Sequence, residues 1–160
     1  SRNVASDIAI RAARAGEAAS LTALAVRSKA HWGYDAAFMW LSAPVLTVNE
    51  SEIAAGRVLV AERDRLACGM ARVETDGELG MMFVDPQAMG RGVGRLLFEA
   101  AKALARRQGA TRMAILADPN AAPFYERLGA RFVSHAPSDA IPGRTLPLYE
   151  VDLRGGNAGP

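Results

Sequence analysis

In the stretch VDPQAMGRGVGRLLFEAAKAL, from Val84 to Leu104, glycines stand at Gly90, Gly92 and Gly94 where an amphipathic helix must begin, with Arg91 and Arg95 among them. Glycine costs about 1 kcal/mol relative to alanine inside a helix, so something besides helix formation favours it here. The first amide N–H groups of a helix have no intrahelical acceptor and lie at the positive end of its dipole, which makes them donors for an anion. Without a Cβ the backbone can approach a phosphate closely, and the two arginines add charge-assisted hydrogen bonds. Glycines also begin helices for purely conformational reasons, so the residues leave both readings open. A P-loop needs GxxxxGK[ST], but neither the lysine nor the hydroxyl follows Gly94. A dinucleotide fingerprint needs GxGxxG early in a repeated βαβ array, whereas this GxGxG lies mid-chain behind a hairpin. Both patterns fit weakly.

The elements that must position this stretch are legible from periodicity and turn residues. DIAIRAAR reads as a first strand, and Leu21, Leu24, Ala25 and Ser28 give the segment from Glu17 to Ser28 a helical face. A second helix is expected from Tyr34 to Leu41, entered through Gly33, and a short one over ESEIAAG, closed by Gly56. RVLVAER and LACGMARV then read as strands joined at Asp64 and Arg65, and the Asp76-Gly77 turn leads into the strand ELGMMFV. Beyond the glycines, Val93, Leu96, Leu97, Ala100, Ala101 and Leu104 mark one face of a helix that Gly109 ends. RMAILA, a short helix from Ala121 to Leu128 stopped by Gly129, and the strands RFVSH and LPLYEVDL complete the chain. The strand–helix–strand in the middle calls for a parallel crossover, so the class is a mixed α/β sheet.

With 160 residues the chain is expected to form one domain over 1–160, its core spanning about 8–153 and its glycine-rich tail, 154–160, frayed. Net charge is only +2, with no block of basic residues, which suits a small anionic ligand and argues against nucleic acid. A single cysteine excludes a disulfide framework, and with two histidines makes a zinc cluster improbable; no metal is expected. No apolar run is long enough for a membrane span, and the polar, alanine-rich start does not read as a signal peptide. These features predict a cytoplasmic protein.

The glycine stretch, preceded by a strand, resembles the coenzyme A signature of the GNAT superfamily of N-acetyltransferases, Gln/Arg-x-x-Gly-x-Gly/Ala followed by a helix. The aligned residues are Met89, Gly90, Arg91, Gly92, Val93 and Gly94, with Met89 where the family usually has glutamine or arginine. ADPNAAPFYERLGARF resembles the family's downstream element, matched at Asn120, Ala121, Phe124, Tyr125, Glu126 and Gly129, one helix and one strand further on. The strand order also agrees, so the resemblance covers nearly all of Ile8 to Leu153. It implies a single domain with a central, mostly antiparallel sheet of about seven strands, about four helices, and a parallel pair flanking an acetyl-CoA cleft.

The resemblance also implies chemistry: transfer of an acetyl group from acetyl-CoA to a primary amine, by direct attack in a ternary complex. The strand before the glycine turn would offer backbone groups of Met82, Phe83 and Val84 to the pantetheine arm, and the amides of Met89 to Arg95 would hold the pyrophosphate. The N–H near Val84 is a candidate oxyanion donor. Tyr125 is the candidate general acid for the leaving thiolate, with Phe124 and Asn120 beside the same ligand, and Glu78 is a candidate base. Cys68 reads as a small buried strand residue rather than a nucleophile. SKAHWGYDAAFM, with His31, Trp32, Tyr34 and Phe38, falls where family members build the acceptor pocket. Together with PSDAIPGRTLPLY it resembles stretches in a bacterial subgroup of the family. Trp32 and Tyr34 are candidate pocket walls and Arg144 a candidate carboxylate ligand. The implied acceptor is a small-molecule amine or an amino terminus, and a homodimer is in keeping with relatives. Two other readings stay open, a non-catalytic acyl-CoA sensor of the same fold and a nucleotide-binding protein.

Overall fold

The computed structural model describes residues 7–155. β1 (Ala9–Ala12) is followed by α1 (Ala18–Ala30), α2 (Ala36–Ser42), a 3-10 turn over Ala43–Leu46 and α3 (Glu50–Ala54). A meander of β2 (Val58–Arg63), β3 (Leu66–Val73) and β4 (Leu79–Val84) comes next. After a second 3-10 turn, Pro86–Ala88, the chain forms α4 (Val93–Arg107), β5 (Arg112–Leu116), α5 (Ala122–Arg127), β6 (Arg131–Pro137) and β7 (Thr145–Asp152). The seven strands and the α/β class are those the sequence implies, with five helices against about four expected because α3 and α5 are each little more than a turn. Asp35 begins α2 by accepting the Phe38 N–H at 2.8 Å, a side-chain cap that the reading from Gly33 overlooked. The β2–β3 turn places Asp64 and Arg65 at φ of +53° and +67°, as a two-residue hairpin demands. Arg154 is tied back to Asp152, while 156–160 of the expected tail lie outside the described residues.

The strands form two sheets rather than one continuous sheet. Four run in the order β1-β2-β3-β4 and three in the order β5-β7-β6, and every ladder between them is antiparallel. The β4–α4–β5 crossover is present, but β4 and β5 share no ladder, so the expected parallel pair is a junction without hydrogen bonds between strands. The contact at its closed end is intimate. Gly77, ahead of β4, adopts φ +93°, and a Cβ there would lie 2.6 Å from Ala110 Cβ and 3.2 Å from the Arg112 carbonyl oxygen.

A bulge in β4 sets which side chains face which layer. Arg72 pairs with Met81 but Val73 with Leu79, leaving Gly80 as the extra residue. Strict alternation would put Leu79, Met81 and Phe83 on one face. Instead Leu79 joins Met82 and Val84 in the core shared with α4, α5 and the second sheet, while Met81 and Phe83 face α1. A side chain at Gly80 would overlap the Glu74 carboxylate, which Arg57 and Arg72 hold at 2.7 and 2.6 Å. α4 buries Val93, Leu97, Phe98, Ala101, Leu104 and Ala105, and comes so close to β3 that a Cβ on Gly69 would meet Leu97 and Val93 at 2.8 and 2.9 Å. The sequence reading missed Phe98, and placed Leu96 and Ala100 on a face they only half share.

Two glycines separate conformation from contact. Gly56 has φ +75° with open space where a Cβ would stand, so Gly56→Ala carries the left-handed penalty alone, about 1–2 kcal/mol. Gly77→Ala adds the collision at the junction of the sheets and is expected to lose about 1–3 kcal/mol more. Urea unfolding of the two variants checks the difference.

Candidate functional site

Beyond the contact at Gly77 the junction opens into a cleft of about 720 Å³ whose walls include the C-terminal halves of β4 and β5. Its edges follow from the ladders. The Asp85 N–H donates to the Cys68 carbonyl at 2.9 Å, and alternation along an antiparallel pair then commits the backbone of Phe83 and Met81 to β3. The N–H and C=O groups of Met82 and Val84 point the other way, into the gap. Likewise the Ala117 N–H donates to the Pro147 carbonyl at 2.9 Å, which commits Ile115 to β7 and leaves Ala114 and Leu116 facing the gap. Of the three residues expected to offer backbone groups, Met82 and Val84 therefore do so, whereas the Phe83 backbone is occupied and only its side chain reaches the cleft.

The glycine stretch borders the same cleft, and its three glycines have different causes. Gly90 and Gly92 take φ of +79° and +85°, with no atom near the position of a Cβ. Gly92 is the N-cap of α4 and brings no capping side chain, so the first-turn amides lack an acceptor of that kind. Gly94 is small for another reason. A Cβ there would lie 3.0 Å from the Phe124 ring, so its bareness admits Phe124 rather than a ligand. Met89, Gly90, Gly92, Gly94 and Arg95 line the cleft; Val93 also borders it while burying its side chain in the core. Arg91 is exposed and does not line it, a departure from the expected pair of arginines.

At the other end, Trp32, Phe38, Asp118, Asn120 and Arg144 line the cleft. Tyr34 does not itself form the wall expected of it, but its hydroxyl ties the wall residues together. It lies 2.7 Å from Asp118 Oδ2, receives Asn120 Nδ2 at 3.1 Å and receives Arg144 Nη2 at 3.2 Å. The Tyr34 and Phe38 rings stack at 3.9 Å with 9° between planes, and the Arg144 guanidinium lies beside the pair, 5.4 and 4.9 Å from their centroids. Lys29 Nζ reaches Asp118 Oδ2 at 2.5 Å. Burial pushes the Asp118 carboxyl up, but Lys29, the Asn120 N–H and the Tyr34 hydroxyl together hold it below its ordinary value. Lys29 and Asp118 were missed as site residues, because lysine and aspartate at a helix end and a turn look like ordinary surface charges. His31 is exposed beside Trp32, and Cys68 is buried outside the cleft, its thiol pushed up chiefly by burial.

Tyr125, on α5, is 6 % exposed and lines the cleft between Phe98 and Phe124. Burial, reinforced by the nearby Asp118 charge, pushes its phenol well above the ordinary value, so it holds its proton at neutral pH. Glu78 also lines the cleft. Burial, then the charges of Asp76, Glu74 and Asp139, raise its carboxyl above the ordinary range. Glu126, next to Tyr125, is spoken for as the acceptor of the Tyr149 hydroxyl at 2.5 Å. Among the described residues no group of three or more His, Cys, Asp or Glu side chains is arranged to hold a metal ion, and no helix is long and apolar enough to cross a membrane.

Comparison with known proteins gives this arrangement a context. The family model of the acetyltransferase (GNAT) domain matches residues 43–139. No curated protein matches the sequence. Among solved structures, the chain is similar to a GCN5-related N-acetyltransferase from Rhodopseudomonas palustris, with 25% identity and TM-score 0.75 over 90% of this chain and 94% of that one. The PaiA N-acetyltransferase of Thermoplasma acidophilum, solved in complex with coenzyme A, shares the fold at TM-score 0.73 and 15% identity over 91% and 98% of the two chains. YncA of Salmonella typhimurium, a putative acetyltransferase solved with acetyl-CoA, does so at TM-score 0.64 and 22% identity over 91% and 94%.

The seam at Asp118 is open to a stability test. A carboxyl held below its ordinary value contributes stability that is fully present above the unfolded value of about 4 and is lost as pH falls through the lower native one. Asp118→Asn leaves Lys29, whose side chain is 15% exposed, without its partner, and is expected to cost about 1–3 kcal/mol at neutral pH. Urea midpoints of wild type and variant should draw together as pH is lowered below about 4.

Proposed function

Because the chain belongs to the GNAT acetyltransferase family, we propose that it is an N-acetyltransferase that moves an acetyl group from acetyl-CoA to a primary amine by direct attack within a ternary complex. One observation carries this reading. A strand edge with unpaired backbone groups at Met82 and Val84, a glycine-cleared helix start and a buried, protonated tyrosine border one cleft. The open space at Gly90 and Gly92 and the unpaired edge suit a pyrophosphate joined to an extended amide-bearing arm. Met82 and Val84 would hold that arm, and the amides from Gly90 to Arg95, with the Arg95 side chain, the pyrophosphate. Met89, where relatives carry glutamine or arginine, contributes its backbone only. Asn120 and Phe124 would border the arm on the α5 side.

Bound acetyl-CoA supplies an acetyl group activated as a thioester. What this chain supplies is positioning and proton management. The Val84 N–H, aimed into the gap, is the donor for an oxygen on which negative charge develops. Glu78, raised and without an ion-pair partner among the described residues, takes the proton that the acceptor ammonium must lose, directly or through water. The Tyr125 hydroxyl keeps its proton until a departing sulfur needs it. Lys29 limits the negative field that Asp118 imposes on that phenol, and Trp32 borders the acceptor end. The single cysteine and the small net charge support a reducing, cytoplasmic setting and a small amine or amino terminus as acceptor, rather than nucleic acid.

Release of free coenzyme A thiol on adding a panel of amines tests the reading, and its absence with every amine would overturn it. Tyr125→Phe should retain the fold by circular dichroism while turnover falls by about 10²-fold or more. Unchanged turnover would remove Tyr125 from the mechanism. The pH profile of kcat/KM should show an acid limb above the ordinary glutamate value of about 4.3, because Glu78 acts deprotonated and its carboxyl is raised. That limb should vanish in Glu78→Gln.

A further inference from the structure

Arg144 is a charged group that the fold holds still and leaves unpaired. Its backbone closes the loop between β6 and β7. The Ser138 N–H donates to the Arg144 carbonyl at 2.8 Å, and the Arg144 N–H donates to the Ile141 carbonyl at 3.2 Å. Inside that loop the Ser138 hydroxyl oxygen accepts the N–H groups of Ala140 and Ile141 at 3.1 and 3.0 Å. The Arg144 guanidinium sits beside the Tyr34–Phe38 ring stack, 4.9 Å from the Phe38 centroid and 5.4 Å from that of Tyr34, the two centroids being 3.9 Å apart. The rings beside it and the hydrogen bond to the Tyr34 hydroxyl confine the group at the cleft wall.

A guanidinium has five N–H donors, and the protein takes one of them, to the Tyr34 hydroxyl. Asp118, the carboxylate that shares this hydroxyl, is taken by Lys29 at 2.5 Å. Among the described residues Arg144 forms no ion pair, although it is half-buried and lines the cleft. A partly desolvated cation with four unused donors is costly to maintain unless something anionic completes it. A planar fork with four free donors matches a planar two-oxygen acceptor better than a point charge does.

We propose that Arg144, held beside Tyr34 and Phe38, is a specificity residue that receives a carboxylate of the acceptor, so the preferred substrates are amines that also carry a carboxylate, free amino acids or the carboxyl ends of short peptides. The substrate class rests on the transferase reading; the anion site at Arg144 does not. Phe38 beside the guanidinium, and Trp32 elsewhere on the same cleft, supply an apolar wall for the body between the two charged ends.

Acid–amide pairs test this: leucine, methionine, phenylalanine and glycylglycine, each against its carboxamide. Each ligand is titrated calorimetrically into the full chain with coenzyme A present, and assayed as acceptor by thiol release. Losing the carboxylate leaves the same amine and side chain, so the pair isolates one contact. The acid of at least one pair should bind, and turn over by kcat/KM, roughly tenfold or more better than its amide. In Arg144→Gln that ratio should fall to about one, and Arg144→Lys should restore it only in part, because a lysine lacks the fork. Equal or stronger binding of the amide in every pair, or an acid preference that survives Arg144→Gln in a folded variant, overturns the proposal. Arg144-dependent carboxylate binding without acetyl transfer to any amine would refute the transferase reading and the substrate class while upholding the anion site. Transfer to amides as good as to acids would refute the carboxylate and leave the transferase standing.

Discussion

A sheet that stops pairing halfway across is the constraint on which the rest of this structure depends. Buried backbone N–H and C=O groups left without partners are expensive, and a strand flanked by another normally satisfies them there. Here β4 and β5 touch at Gly77 and then leave Met82, Val84, Ala114 and Leu116 directed into a gap. The gap survives because other contacts hold its sides apart. α4 bridges both sheets from behind, buried against Gly69 of β3, and Phe124 of α5 wedges onto Gly94. Water or a ligand must finish hydrogen bonds that the protein declines to finish itself.

Polar groups close the seam where the apolar core cannot. Lys29 on α1 and Asp118 after β5 join across the open end, and Tyr34, Asn120 and Arg144 extend the chain of contacts to the β6–β7 loop. Three separate segments meet at one hydroxyl, and Lys29 adds a fourth through Asp118. This network sits close to Tyr125, which it influences through charge, yet it makes no hydrogen bond to the phenol. The two ends of the cleft thus differ in character. Backbone amides and glycine dominate one, and side-chain charges and hydrogen bonds the other.

Local pattern made most of the elements legible. Glycine punctuation, the Asp76-Gly77 turn and short apolar or alternating runs placed all seven strands, because each signal is decided within a few residues. The order β5-β7-β6 was not legible, since it depends on which distant edges meet after the crossover. Neither was the bulge at Gly80, whose cause lies in a carboxylate six residues away in the turn. In the cleft, the residues flagged by composition and resemblance mostly border the same space, but their partnerships escaped notice. Tyr34 and Arg144 are 110 residues apart, and Lys29 and Asp118 are 89 apart. Arg91 and Arg95 look equivalent in sequence, and only the direction in which α4 begins sends one into the cleft and the other to solvent.

The bulge ties a charge to an empty space. The Glu74 carboxylate occupies the volume that any side chain at Gly80 would need, and it is kept there by Arg57 and Arg72. These positions therefore cannot drift independently over generations. A larger residue at Gly80 becomes admissible only after Glu74 has withdrawn, and that would leave the two arginines to share Glu52 as their counterion. Since the same bulge decides which face of β4 meets α1 and which meets α4, a half-buried charge network constrains the history of the residues that line the cleft.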